Sequence, residues 1–243
     1  MKGQSGSRVR LVDARMLSPS VRSLVFEPLV AGFAYRAGQS VQLTVPTATG
    51  IAMRRPYSIA SAPGLLPGGR FELAVTRVEG GPTSEALHAL SIGAEIIADD
   101  PHGGGLSLRP DERAKRMLLV ATGTGLAPCR AHVQERLRDA SPRPLLGVLF
   151  GCRTTADILW RDELDGWARE PSRIRVEVTQ SRPGADWTGR TGHVQRHLAE
   201  LVRELEPELL MICGLSPMVD DVVHLARELG VPDDAIRTEA YDQ

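Results

Sequence analysis

The sequence predicts two domains of different class: an antiparallel six-stranded β-barrel over residues 1–110, then a parallel-sheet α/β domain over residues 111–243. Three observations predict this. Up to about residue 110 the chain breaks into short, partly alternating runs bounded by Gly or Pro, the mark of antiparallel strands. Beyond it, continuous apolar runs of strand length alternate with helical stretches, as in a parallel sheet covered on both faces. The length of 243 residues allows two cores of ordinary size.

In the first half the expected strands are Arg8-Asp13, Val21-Glu27, Ser40-Val45, Tyr57-Ala60, Phe71-Val78 and Glu95-Ala98. One helix interrupts them, Ser84-Leu90, with Leu87 and Leu90 on one face and Thr83 or Ser84 as N-cap. The run Pro101-His102-Gly103-Gly104-Gly105, with Arg109-Pro110, reads as the domain junction. In the second half the expected strands are Met117-Ala121, Leu145-Phe150, Ile174-Val178 and Leu209-Cys213. The expected helices are Cys129-Leu137, one around Asp157-Ala168, His193-Leu205 and Met218-Leu229. Internal repeats and low-complexity segments are absent from the sequence.

Composition excludes several classes of function. A formal net charge of −1 argues against nucleic-acid binding as the main activity, because neutralising phosphates needs a basic excess. A local basic patch for an acidic partner protein stays open. No run approaches the roughly 20 apolar residues of a membrane helix, so no membrane insertion is expected. The start, Met1-Lys2-Gly3-Gln4-Ser5-Gly6-Ser7, lacks an apolar core and reads as a short disordered tail rather than a secretory signal. Cys129, Cys152 and Cys213 are odd in number and widely separated, which suits a reducing cytoplasm. They also leave no four-cysteine cluster for a built-in iron–sulfur centre, and no metal site is expected.

Four short motifs carry chemistry. In Arg55-Pro56-Tyr57-Ser58-Ile59-Ala60-Ser61, period-two geometry puts Arg55 and Tyr57 on one face of a strand and Ser58 on the other. Pro56 belongs at an edge or a strand start. Such an edge can hold a flavin, with Tyr57 stacking on the ring, Ser58 at its polar edge and Arg55 on the phosphate. A surface arginine beside a core tyrosine reads the same way. Gly80-Gly81-Pro82-Thr83-Ser84 places glycines and hydroxyls at a helix N-terminus, an anion site suited to a flavin phosphate or pyrophosphate. A plain capped helix is the alternative.

Gly123-Thr124-Gly125-Leu126-Ala127-Pro128 follows an apolar strand and opens a helix, where open α/β sheets bind ligands. Its glycines would let the backbone approach a pyrophosphate, although Pro128 replaces the third glycine of the dinucleotide fingerprint and suits a first helical turn. Alone, the turn reads equally well as structural. Cys213-Gly214 ends a later strand, with Pro217-Met218 opening the next helix. Cys213 there is either a small polarizable wall beside a nicotinamide or a buried small hydrophobe.

In this order the motifs resemble the ferredoxin–NADP reductase family of flavoproteins, from about Val9 to Tyr241. The terminal Glu239-Ala240-Tyr241 belongs to the resemblance, with weaker echoes in Phe150-Gly151-Cys152-Arg153, Ser181-Arg182-Pro183 and Trp187-Thr188-Gly189-Arg190. The resemblance implies Arg55 on the flavin phosphate, with Pro56 and Ile59 beside it, Tyr57 on the ring and Ser58 near its reactive nitrogen. It implies Gly80, Gly81, Thr83 and Ser84 at the pyrophosphate. Thr122, Gly123, Thr124, Gly125 and Gly214 would meet the nicotinamide nucleotide, and Cys213 would flank its ring. Glu239 and Tyr241 would lie where the two rings meet, so that Ser58, Cys213 and Glu239 form the catalytic set.

Two departures stand out. Asp100-Pro101-His102-Gly103-Gly104 lacks the aromatic that follows Gly-Pro-x-Gly in the family, and the chain stops two residues after Tyr241, without a longer tail over the flavin. FAD is expected rather than FMN. Arg153, Ser181, Arg182 and Arg190 are candidates for a 2′-phosphate, with Asp157 as an acidic counter-signal, so NADP(H) is favoured over NAD(H).

The implied activity is a monomeric cytoplasmic NAD(P)H oxidoreductase that passes electrons through FAD to a separate ferredoxin or other iron–sulfur acceptor protein, such as an oxygenase component. Alternatives are a reductase for free flavin or ferric chelates, and an electron-transfer subunit of a larger complex.

Overall fold

The computed structural model describes residues 6–47, 50–112, 115–138 and 145–241. The expected disordered tail therefore lies outside the described residues for positions 1–5, whereas Gly6 and Ser7 already belong to the first strand.

The N-terminal sheet comprises β1 (Gly6–Met16), β2 (Val21–Pro28), β3 (Gln39–Pro46), β4 (Ala52–Ser58), β5 (Phe71–Thr76), β6 (Glu95–Asp99) and the short β7 (His102–Gly103). Its six main strands run antiparallel in the order β4-β3-β6-β1-β2-β5, and β7 pairs with β3. The two outer strands meet where β4 ends: Ile59 bridges Leu73, and Ala60 N–H donates to Glu72 O at 2.8 Å. Alternation aims Leu11, Leu24, Phe26, Val41, Leu43, Phe71 and Leu73 inward, all fully buried. Helix α1 (Pro82–Ala89) closes one end with Leu87. Arg22 Nη1 donates to the carbonyls of Leu87, His88 and Leu90, satisfying the free acceptors of the helix C-terminus.

The second sheet comprises β8 (Met117–Thr122), β9 (Leu146–Cys152), β10 (Ile174–Gln180), β11 (Arg190–Thr191), β12 (Leu209–Leu215) and β13 (Ile236–Tyr241), all parallel in the order β11-β10-β9-β8-β12-β13. Its helices are α2 (Leu126–Arg138), α3 (Arg161–Trp167), α4 (Gln195–Leu205) and α5 (Ser216–Glu228). Two cores explain why β8, β9 and β12 are apolar along their length. Leu119, Ala121, Phe150, Met211 and Cys213 face one core with α2 and α3, while Leu118, Val120, Leu149, Leu210 and Ile212 face the other with α4 and α5. The first core also takes in Val21, Ala60 and Ala74 of the barrel, so the two domains share apolar packing.

Several expectations are corrected. The strand expected at Tyr57-Ala60 is β4, which starts at Ala52 and ends at Ser58; its exposed, arginine-rich course hides the alternation. The N-cap of α1 is Gly81 rather than Thr83 or Ser84, because Pro82 occupies the first helical position, where its missing N–H costs nothing. His102-Gly103, read as junction, is strand β7 of the barrel. The helix expected around Asp157-Ala168 is a 3₁₀ turn (Thr155–Asp157) and then α3, separated by Trp160 in the left-handed region at φ 45°. Strands β11 and β13 were not anticipated.

Candidate functional site

The parallel sheet changes direction of winding between β8 and β12, and both strands end in the glycine motifs. That switch point is where open α/β sheets take ligands. Gly123 has φ +53° and starts a 3₁₀ turn that runs into α2. A Cβ on Gly125 would lie 2.2 Å from Cys213 O, and one on Gly214 would lie 2.2 Å from Thr122 Oγ1. Both glycines are thus required for the two strand ends to come this close.

The barrel brings Ser58 to the same place. The Ser58 hydroxyl donates to Glu239 Oε1 and lies 2.8 Å from the Tyr241 hydroxyl, which itself donates to Glu239 Oε1 at 3.1 Å. Register pairs Cys213 with Glu239 on neighbouring strands, and Tyr241 packs against the core that contains Cys213. Burial raises the Tyr241 phenol well above its ordinary value, and the nearby Cys213 and Glu239 add to this. Burial likewise raises the Cys213 thiol, reinforced by Cys129 and Glu239. Both groups keep their protons, and Cys213 is a fully buried thiol under Tyr241.

Tight packing of the segment after β7 places Glu239. A Cβ on Gly104 would lie 2.6 Å from Glu239 Oε2, and one on Gly105 would lie 2.0 Å from Thr238 O. Gly104 and Gly105 thus admit β13 where a side chain would exclude it. Glu112, a fully buried carboxylate beyond this segment, accepts from Arg109 N–H and its guanidinium and from Arg237 on β13.

On the barrel itself, β4 is a terminal strand of the sheet order, which suits Pro56. Arg55 is exposed, its guanidinium bonded only to Arg54 O among the described contacts. Tyr57 is half-buried against the barrel core, and burial pushes its phenol up to about 12, against the opposing pull of Arg55. Ile59 is fully buried and offers only backbone. Gly80 N–H donates to Glu85 Oε1 at 3.1 Å, and the Ser84 hydroxyl is engaged with Val78 and Gly81. Pyrophosphate contacts there would fall to the first-turn N–H groups and Thr83. The Thr76 and Thr124 hydroxyls lie 3.4 Å apart across the two domains.

Two buried hydroxyls, Thr83 Oγ1 and Thr122 Oγ1, have no hydrogen-bond partner among the described residues. Unsatisfied buried polar atoms are rare. These two lie at the start of α1 and at the end of β8, where a flavin pyrophosphate and a nicotinamide nucleotide would supply acceptors, so the residues present fit both groups.

At the outer strand ends, Ser181 N–H donates to Cys152 O at 3.0 Å and Arg182 N–H to Arg153 O at 2.8 Å, bringing the two exposed arginines together. Arg190 does not join them: its guanidinium is held by Glu177 and Glu200. The Asp157 carboxylate caps its own turn, accepting from Thr154 N–H at 3.0 Å and Thr154 Oγ1 at 2.8 Å.

Residues 8–104 match the oxidoreductase FAD-binding domain family, and residues 119–224 the oxidoreductase NAD-binding domain family. The chain is 48% identical over 241 residues to ferredoxin–NADP reductase B of Sorangium cellulosum (strain So ce56), covering 96% of each sequence. The chain belongs to the ferredoxin–NADP reductase family.

This reductase is therefore a flavoprotein oxidoreductase of FAD and NAD(P)H. It is also 29% identical over 211 residues to cytochrome b5 reductase 4 of Rattus norvegicus, spanning 82% of this chain but 40% of that longer protein. Its fold is similar to the FAD/NAD-binding domain of nitric oxide dioxygenase from Vibrio cholerae, with TM-score 0.84, 21% identity and coverage of 98% and 99%. A ferredoxin NADP+ reductase from Neisseria gonorrhoeae with bound FAD and NADP gives TM-score 0.79 at 19% identity, covering 97% and 98%. These likenesses establish the fold alone. No helix among the described residues is long and apolar enough to cross a membrane.

Sequence reasoning missed a second constellation in this reductase. Arg130, Glu72, Trp160, Glu163 and Gln134 form a largely buried polar cluster between the domains. The available signal was Arg130 itself, a charge among the apolar positions of α2.

Proposed function

We propose that the reductase takes electrons from NADPH and passes them singly to a separate ferredoxin-type iron–sulfur protein, acting as a monomer in a reducing cytoplasm. Residues 1–110 form the flavin-binding unit and residues 111–243 the nucleotide-binding unit. One observation carries the reading: Ser58, at the end of the barrel's terminal strand, touches Glu239 and Tyr241, on the edge strand beside the nucleotide switch point. Bound FAD and NADPH would supply hydride chemistry and one-electron release.

The chain's residues supply placement. Arg55 and the first-turn N–H groups of α1, with Thr83, hold the flavin phosphates. Tyr57 offers its ring and Ser58 its hydroxyl. The Ser58 hydroxyl donates to Glu239 Oε1, so that carboxylate orients the hydroxyl at the flavin's polar edge. Tyr241 keeps its proton and covers Cys213, excluding water from that thiol. Thr122, Gly123, Thr124, Gly125 and Gly214 line the nucleotide side. Arg153, Ser181 and Arg182 favour NADPH, since a guanidinium fork matches a 2′-phosphate.

The test is an anaerobic titration with NADPH and then NADH, followed by steady-state turnover with a ferredoxin and with free flavin. The expected result is bleaching by NADPH at lower concentration than NADH, and faster turnover with ferredoxin. Turnover with ferredoxin no faster than with free flavin would overturn the assigned acceptor.

A further inference from the structure

The two cofactor-binding units belong to separate sheets, yet their ligands must meet in an aligned pose. The segment around residues 104–112 packs on β13 through Gly104, Gly105 and Glu112. Arg130 stands between the two units. It lies in the second turn of α2, the helix that opens from the Gly123-Thr124-Gly125 turn. Its Nη1 donates to Ala60 O at 2.9 Å and to Glu72 Oε2 at 2.8 Å, both in the barrel. Its Nε and Nη2 donate to Glu163 of α3 at 3.0 and 2.5 Å. The guanidinium sits 4.6 Å from the centre of the Trp160 ring, and Arg130 is 5% exposed.

The partners are themselves fully engaged. Glu72 also accepts from Ser23 Oγ at 2.6 Å and Trp160 Nε1 at 2.9 Å. Trp160 adopts φ 45°, an uncommon conformation for so bulky a residue that its surroundings must hold in place. One helical turn beyond Arg130, Gln134 accepts from Ala62 N–H at 2.9 Å and donates to Glu163 at 2.9 Å. Helix α2 thus grips the backbone at Ala60 and Ala62, immediately after Ser58.

We propose that Arg130 is an interdomain positioning residue that sets where the nucleotide-binding turn stands relative to Ser58, and thereby the rate of flavin reduction. Apolar packing would hold the domains together as firmly, since buried ion pairs add little net stability. A planar guanidinium with hydrogen bonds on two edges adds direction, which apolar contact lacks. Because α2 is a rigid helix, a shift at Arg130 moves the Gly123-Thr124-Gly125 turn with it. This role rests on the NAD(P)H–FAD reading above.

The test is Arg130→Lys in the holoenzyme, which keeps the positive charge beside Glu72 but cannot reach Ala60, Glu72 and Glu163 together. Stopped-flow reduction by NADPH should slow on the order of 10- to 100-fold. Flavin content should be unchanged, NADP+ affinity should stay within about twofold, and the Ala62 amide should lose protection from hydrogen exchange. Reduction at the parental rate would overturn the role. Should Arg130→Lys not fold, Glu163→Gln replaces it, leaving Glu72 paired; slowing of about threefold or more is expected, and a parental rate overturns the role. A parent protein that no nicotinamide nucleotide reduces overturns the functional reading and this role with it. An unaffected variant of a competent parent overturns this role alone.

Discussion

Ser58 donates a hydrogen bond to Glu239, a residue 181 positions further along the chain and in the other domain. The contact joins the end of β4 to the edge strand of the parallel sheet, and it orients the Ser58 hydroxyl. Ser58→Ala removes the hydroxyl at the point where the two domains meet and should slow flavin reduction roughly tenfold. The protein should stay yellow, because no phosphate contact is lost. Stopped-flow reduction at the parental rate would reject the role.

Gly105, with Gly104, lets β13 come close enough to place Glu239. A Cβ on Gly105 would lie 2.0 Å from Thr238 O, so Gly105→Ala must push β13 outward. A loss of about 1–3 kcal/mol in unfolding free energy is expected. Flavin reduction should slow as well, since Glu239 is the next residue along. Equal denaturation midpoints and equal reduction rates for variant and parent would refute the close-approach argument.

Arg182 lies beside Arg153 at adjacent strand ends. Arg182→Ala should raise the apparent KM for NADPH roughly tenfold and leave that for NADH nearly unchanged, because only NADPH carries the 2′-phosphate. Equal effects, or none, on the two nucleotides would remove the phosphate assignment.

Two buried carboxylates should shape acid stability. Burial raises Glu72, but Arg130, Ser23 and Trp160 together outweigh it and hold the group below its ordinary 4.5. Burial also raises Glu112, and the bonds from Arg109 with the charge of Arg237 reverse that shift. A carboxylate lowered by folding contributes stability that is present above its unfolded value and lost as pH falls through its folded value. Tm should vary little from neutrality down to about pH 5 and drop below it. Glu72→Gln should lower Tm at pH 7 and flatten the acid limb. An acid limb of unchanged slope in both Glu72→Gln and Glu112→Gln would contradict the assignment.

Much of the frame was legible because it rests on local rules. The apolar strands β8, β9 and β12 alternate between two cores, so they read as continuous hydrophobic runs. Strand β4 was displaced in the reading because Arg54, Arg55 and Pro56 are exposed and hide its period. The cap of α1 was misplaced because hydroxyl residues are favoured caps, whereas the Ser84 hydroxyl turns back to Val78 and Pro82 starts the helix. Strand β13 escaped notice as a half-exposed edge strand, although it carries Glu239 and Tyr241.

By itself the sequence determined the two fold classes, their order, and the placing of Gly123-Gly125 and Cys213-Gly214 at strand ends. These follow from side-chain period and turn chemistry, which act over a few residues. The family resemblance put Glu239 and Tyr241 near Ser58, but tertiary structure alone decided their hydrogen bonds to it, that Gly104 and Gly105 make room for them, and that Arg130 binds both domains at once. A charge in a helix reads as solvated surface until another domain brings carboxylates to bury it, and no local period records that encounter.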